Sequence, residues 1–271
     1  MRLASWNTHG LGNKSRGRMA GSFVTNFQIQ FLAIQETMVK IVSQPILNEI
    51  WKQYAFEAIQ VESDGRSGGL VSIWRSYFFS LINCWKCKHW IASVLRYIPS
   101  DNVVLIVNVY APHLESSKRR VWEQLKNIAC NWSGPICFLG DFNSVCTPDE
   151  RCRESIDMNS IETFNDFILN ASLIDQPLSN EEFTWEGPLG KMSRIDRVLL
   201  NSCWIDLWPD SILLAAKPDR SDHKPLVWGK KLVSWGTKLF RFNKAWFSKL
   251  GFLDMCFDNW ANYPFNGWAA L

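Results

Sequence analysis

The chain reads as a layered α/β or mixed α+β domain. Three features of the 271 residues predict it: short runs rich in Val, Ile and Leu, helical patterns alternating with those runs, and no repeat or low-complexity block between them. With 47% hydrophobic residues the chain has material for a sizeable core, so wholesale disorder is excluded.

Strands are expected at residues 3–7, 31–36, 69–74, 91–97, 103–110, 135–140, 195–200 and 226–228, where β-branched and aromatic residues cluster between turn formers. A helix is expected over 117–131, because Val121, Trp122, Leu125, Ile128 and Ala129 recur at helical spacing. Ile161, Phe164, Phe167 and Ile168 give a second over 161–169, and a weaker pattern lies between Arg16 and Gln28. All three read as cover for a sheet. After about residue 230 the pattern changes: Phe240, Phe242, Trp246, Phe247, Phe252, Phe257, Trp260, Phe265 and Trp268 crowd a segment without strand alternation. Residues 1–230 are therefore expected to form one domain and 231–271 an aromatic-rich extension.

A net charge of only +3 means that affinity for a phosphate backbone must come from local clusters, not from the overall field. Eight scattered cysteines and a strand-like opening at Arg2-Leu3-Ala4-Ser5-Trp6, where a signal peptide would be apolar, point to a reduced, intracellular setting. Cys84-Trp85-Lys86-Cys87 lacks the second ligand pair that a tetrahedral zinc site needs. No apolar stretch reaches the roughly 18 residues of a membrane span.

The chemistry-bearing residues recur at the C-terminal ends of hydrophobic runs, where a strand hands its last side chain to a loop-lined cleft. Asn7, Glu36 and Tyr110 end three of them, and Asp141 with Asn143 follows a fourth. Asp196 lies in Arg194-Ile195-Asp196-Arg197, and Asp222-His223 precedes the last run. Phosphodiester hydrolysis needs a hard cation, a base for the attacking water and donors for developing charge. These residues supply that inventory. If the four carboxylates converge, each pair about 4 Å apart repels by roughly 4 kcal/mol at an effective dielectric of 20, so the cluster demands a cation or a proton. All-oxygen ligation points to Mg2+, with Mn2+ as the other choice. Taken singly, each residue has a duller explanation: an Asp or Asn after a strand is most often a turn former or cap, and Arg194 to Arg197 reads equally as a solvated edge. Their joint occurrence at strand ends favours catalysis.

Trp6-Asn7, Gln35-Glu36-Thr37, Tyr110-Ala111-Pro112, Gly140-Asp141-Phe142-Asn143, Arg194-Ile195-Asp196-Arg197 and Ser221-Asp222-His223 stand in the order of the endonuclease/exonuclease/phosphatase superfamily. Over residues 1–230 the chain most resembles the apurinic-type endonuclease domain of plant LINE-type (non-LTR) retrotransposons, with Phe183-Thr184-Trp185 and Phe240-Arg241-Phe242-Asn243 adding to the likeness. The resemblance implies a deoxyribonuclease I-like four-layer sandwich of two packed mixed β-sheets flanked by helices. It implies a monomeric, nuclear enzyme that nicks DNA beside a reverse transcriptase domain absent from this chain. It also implies roles: Glu36, Asn7 and Asp222 toward the metal, Asp141 for the attacking water, Asn143 and Tyr110 on the scissile phosphate, and His223, oriented by Asp196, on a non-bridging oxygen. Arg66, Thr184, Trp185, Arg194 and Arg197 are the implied DNA contacts, with the Lys118-Arg119-Arg120 run and Arg220 as further backbone candidates.

Two positions depart from the family pattern. His9 stands where some relatives carry an acid near the metal, and His113 where an asparagine is common. Two other readings remain: an inactive nucleic-acid-binding remnant, and a phosphatase or phosphodiesterase of the same superfamily acting on inositol phosphates or sphingomyelin.

Overall fold

The computed structural model describes residues 1–52, 54–65, 67–217, 221–230 and 251–261. Its frame is set by strands whose side chains alternate with period two, both faces being apolar because both are covered. The first sheet runs in the order Ser211–Ala215 (β14), Leu226–Lys230 (β15), Arg2–Asn7 (β1), Phe31–Gln35 (β2), Ser67–Arg75 (β4) and Phe56–Asp64 (β3). The second runs Ile174–Asp175 (β10), Asp196–Leu200 (β13), Ile136–Asp141 (β8), Asn102–Tyr110 (β7), Trp90–Tyr97 (β6) and Phe79–Cys87 (β5). Each sheet has one parallel pair at its centre, β1 with β2 and β7 with β8, flanked by antiparallel neighbours.

The sheets face one another. Leu3, Phe31, Ala33 and Trp74 of the first pack with Leu95, Val104, Ile106, Leu139 and Val198 of the second. The alternate residues face outward. Trp6, Leu32, Ile34 and Val71 meet Lys14–Asn26 (α1) and Gln44–Trp51 (α2), through Phe23, Val24, Leu47 and Ile50. Val94, Leu105, Val107 and Phe138 meet Glu115–Cys130 (α3) and Met158–Asn170 (α4), through Val121, Trp122, Leu125, Phe164 and Phe167. This is the four-layer arrangement that the resemblance implied. The caps are local in origin: Asn13 accepts from Arg16 N at the start of α1, and Asp157 from Asn159 N and Ser160 N at the start of α4.

Toward one end the inner faces turn polar without turning wet. Gln35 Nε2 donates to Asn108 Oδ1 across the sandwich at 2.7 Å and to Ser5 Oγ at 3.1 Å. Asn108 Nδ2 donates to Val71 O at 3.0 Å. These buried groups are satisfied between the sheets, one step below the strand ends that carry the site.

All eight expected strands form, with ends shifted by up to two residues. Three longer strands, β3, β5 and β14, were not anticipated. Each lies at the edge of its sheet; in β3 and β5 half-exposed faces carry residues such as Glu57, Gln60, Glu62, Ser80, Asn83 and Lys86 that blur the apolar alternation, while β14 is a short run, Ser211 to Ala215, with no alternation to read. A small third sheet of Trp185–Glu186 (β11), Met192–Ser193 (β12) and Arg151–Cys152 (β9), and the short helix Ser202–Leu207 (α5), also leave little periodicity to read. Cys84 and Cys87 both lie in β5, three residues apart and so on opposite faces of the strand.

Contacts divide the chain into Met1–Lys231 and Leu232–Leu271. In the second unit the described part is Gly251 and the helix Phe252–Ala261 (α6). Phe240, Phe242, Trp246, Phe247, Phe265 and Trp268, and the Phe240-Arg241-Phe242-Asn243 motif, lie outside the described residues.

Gly140, one residue before the end of β8, has φ +153°, and a Cβ there would stand 1.9 Å from Val109 O. That contact is with backbone of the paired strand, so it cannot be relieved by a rotamer change. Gly140→Ala should cost about 3 kcal/mol, the upper range for overpacking, in reversible urea unfolding. A midpoint equal to that of the wild type would contradict the close approach of β7 and β8.

Candidate active site

Strand register brings the polar strand ends together. Tyr110 pairs with Asp141, and Asp141 with Asp196, in adjacent strands of the second sheet, so all three point to the inner face. Asn7 closes β1 in the facing sheet and points the same way inward. Its Nδ2 donates to Asp141 Oδ2 at 2.9 Å across the sandwich and lies 3.3 Å from His223 Nε2.

Asp141 is almost wholly buried, its Oδ1 accepting from Asn143 N at 2.9 Å. Burial, together with the nearby Asp196 charge, outweighs His223 and these two donors and pushes its pKa up to about 7. His223 is also buried. Its Nδ1 lies 2.9 Å and 3.1 Å from the two oxygens of Asp196, which as a carboxylate only accepts, so Nδ1 carries a proton and Nε2 faces Asp141 Oδ2 at 3.9 Å. Burial alone would lower the imidazolium pKa. The carboxylates of Asp196 and Asp141 reverse that and raise it to about 10.

A second group lies on the other side of Asn7. Glu36 follows β2 in a left-handed backbone conformation, φ +52°, and accepts from the Tyr110 hydroxyl through Oε1. Burial and the Glu36 charge push the Tyr110 phenol far up, so it remains a donor. Asp222 Oδ2 accepts from Trp185 Nε1 at 2.9 Å. Ser221 Oγ ties this loop to the end of β1, donating to Asn7 O at 2.8 Å and accepting from His223 N at 3.1 Å. His9 Nδ1 lies between the two acids, 3.6 Å from Glu36 Oε2 and 3.5 Å from Asp222 Oδ1.

Asp222 Oδ1 is buried yet has no hydrogen-bond partner, the state of an oxygen awaiting a cation. Glu36 and Asp222 each give one oxygen to a neutral donor and have the other toward His9, so each has an oxygen to offer a divalent ion. Asp141, Asp196 and His223 also bring ligand atoms within 4.8 Å of one another. There, however, the imidazole is already spent on Asp196, and the Glu36–Asp222 side has the free oxygens. Both groups open on one cleft of about 410 Å³ that His113, Asn143 and Trp185 also line.

A model of the Endonuclease/Exonuclease/phosphatase family matches residues 4–223. The chain belongs to this family. Solved structures share the fold at low identity. An AP endonuclease from Archaeoglobus fulgidus has 17% identity and a TM-score of 0.67, with 86% of this chain and 100% of that one covered. For the 3'-5' exonuclease NExo from Neisseria meningitidis the values are 17%, 0.65, 85% and 99%. For the endonuclease domain of TRAS1, a telomere-specific non-LTR retrotransposon, they are 14%, 0.62, 84% and 96%. No curated protein matches.

Within this endonuclease/exonuclease/phosphatase site the structure corrects several expected roles. Asn7 has a further part beside the one expected: its Oδ1 accepts from His9 N at 3.1 Å and its amide donates to Asp141, so it orients the base. The Tyr110 hydroxyl is committed to Glu36. Thr184 is fully buried, with Oγ1 accepting from Ile195 N and Asp196 N at 3.1 and 3.0 Å, and so positions Asp196 instead of touching a groove. Trp185 reaches the cleft but gives its indole N–H to Asp222. Lys118 turns inward to Asn143 O at 2.7 Å, while Arg119 and Arg120 stay exposed. Arg66 and Arg220 lie outside the described residues. Ser221 and Lys118 were not assigned these supporting roles, because a residue type alone does not disclose a partner 214 or 25 positions away.

Arg194 and Arg197 are not DNA contacts. Arg197 is 0% exposed, and both guanidiniums pair with Glu150 and Asp175 beneath the site. Removing one charge would leave the others buried and unpaired, so Arg197→Met should destabilise the fold by about 3–5 kcal/mol. Chemical denaturation checks it. A variant as stable as the wild type but weaker on DNA would return Arg197 to the interface.

Proposed function

We propose that this protein is a metal-dependent endonuclease that nicks DNA by in-line attack of an activated water. The observation that carries the reading is the buried Asn7–Asp141 and His223–Asp196 pairing, two acids and an imidazole held apart in role by their partners. Asp141, held in place by Asn7 and by Asn143 N, takes a proton from the attacking water. The His223 imidazolium, fixed by Asp196, donates to a non-bridging oxygen and stabilises the charge that develops there. Asn143, whose Nδ2 donates to Ala111 O at 2.8 Å, borders the same cleft as a phosphate neighbour. A divalent ion, Mg2+ or Mn2+, held by Glu36 and Asp222 would neutralise phosphoryl oxygens.

DNA as substrate is supported by neighbours of the same fold described as AP endonucleases and as a 3' phosphatase bound to a product DNA hairpin. The retrotransposon reading is supported by the TRAS1 neighbour and by the ordered motifs. On that reading the enzyme is a monomer acting in the nucleus, and its nick primes a reverse transcriptase. The plant LINE affinity is carried by the motif resemblance alone.

Nicking of supercoiled plasmid in the presence of either ion, and its abolition by EDTA, is the expected behaviour. Asp141→Ala and His223→Ala should each lower the rate by about 10²–10⁴-fold, the usual weight of a general acid or base. Wild-type-like nicking by either variant would overturn the mechanism, and release of phosphate from a lipid head group without nicking would move the substrate elsewhere.

A further inference from the structure

The base Asp141 is fixed at both of its oxygens, and the two holds differ in kind. Oδ2 accepts from the Asn7 side chain at 2.9 Å, across the sandwich. Oδ1 accepts from a backbone amide two residues on, Asn143 N at 2.9 Å, so its place depends on the shape of the turn at 141–143. Asn143 stands there in left-handed backbone, φ +48°, a conformation that residues other than Gly adopt uncommonly and that the surroundings must support.

Two tethers supply that support. Asn143 Nδ2 donates to Ala111 O at 2.8 Å, and Ala111 N returns a bond to Asp141 O at 2.8 Å. From the start of α3, Lys118 Nζ donates to Asn143 O at 2.7 Å and to Glu115 Oε1 at 2.6 Å. The Lys118 side chain is 6% exposed and that of Glu115 38%. An ion pair three residues apart on a helix gains little and forms as well at the surface, so it gives no reason to take an ammonium out of water. The Asn143 carbonyl does give one. Glu115, Lys118, Asp141 and Asn143 all line the same cleft.

We infer that Lys118 is a positioning residue of the reaction: by holding the Asn143 carbonyl it keeps the 141–143 turn in the shape that aims the Asn143 amide at Asp141 Oδ1, and so orients the carboxylate toward the water it deprotonates. When the ammonium is removed the turn relaxes, and the base loses one of its two holds while Asn7 keeps the other. Lys118 itself touches neither the water nor the phosphate. The role in the reaction rests on Asp141 acting as the base of the proposed nuclease, but the hold of Lys118 on the turn does not.

Plasmid nicking by the full chain, resolved into kcat and KM, tests it. Lys118→Met should lower kcat by about 10–100-fold, the cost of a small misplacement of a reacting group, with KM within about twofold of wild type. Lys118→Arg keeps a charged donor and should recover part of the loss. In an Asp141→Ala background Lys118→Met should cost less than about twofold, because the group it positions is gone. Wild-type kcat in a folded Lys118→Met protein would overturn the inference. An equal loss with and without Asp141 would overturn it too, and would put Lys118 on the phosphate. Amide hydrogen exchange reads the turn without any activity: measured against the slowest amides of the core, Asn143 N–H should exchange at least about tenfold faster in Lys118→Met than in wild type. If circular dichroism shows that Met is not tolerated, Lys118→Gln, a polar side chain one bond shorter, enters the same measurements. A wild type that nicks no plasmid, with faster Asn143 exchange in the variant, sinks the nuclease reading and leaves the hold of Lys118 standing. Unchanged Asn143 exchange overturns the hold itself.

Discussion

Everything at the site depends on the register of the inner strands. Side chains alternate faces with period two, so a slip of one residue in β8 would carry Asp141 from between the sheets to the helix side, and Leu139 and Cys137 with it. Three pairings resist that slip together: Tyr110 with Asp141, Asp141 with Asp196, and the close approach of Gly140 to Val109 O. Below them the Ser5, Gln35 and Asn108 network joins the two sheets by side-chain hydrogen bonds. These contacts bring together Asn7 and Asp141, which are 134 residues apart in sequence.

The same end of the molecule holds two charge clusters that differ in one respect. Beneath the site two guanidiniums face two carboxylates, so Arg194, Arg197, Glu150 and Asp175 neutralise one another. At the site the side-chain hydrogen-bond and ion-pair partners of Glu36, Asp141, Asp196 and Asp222 among the described residues are imidazoles and neutral donors. At about 4 kcal/mol for each pair of like charges 4 Å apart at an effective dielectric of 20, that imbalance is large beside the stability of a whole domain. The first cluster is therefore structural. The second is built to receive positive charge, which is why the buried, unpartnered Asp222 Oδ1 is informative.

Trp185 illustrates how position overrides residue type. The resemblance implied that it contacts DNA, and it does border the cleft. Its backbone bridges to His223 and its indole N–H holds Asp222, so it connects the small third sheet to the acid that faces His9.

The eight inner strands and the helices α1, α3 and α4 were legible in the sequence, because a buried strand or an amphipathic helix must write its burial into local periodicity. The chemical inventory of the site was legible too, since Asn7, Glu36, Tyr110, Asp141 and Asn143 end or follow such a run and Asp196, Asp222 and His223 begin or precede one. Edge strands β3 and β5 were not, because a half-exposed face tolerates polar residues and erases the alternation, and the short, almost wholly apolar β14 has none to show. Nor were the partners. Whether Arg197 met DNA or Glu150, whether Thr184 met a ligand or the backbone of Asp196, and which carboxylate the Asn7 amide would hold were all decided by tertiary structure. The physical reason is common to the three: a side chain's type is local, but its charge compensation comes from residues brought near only by folding.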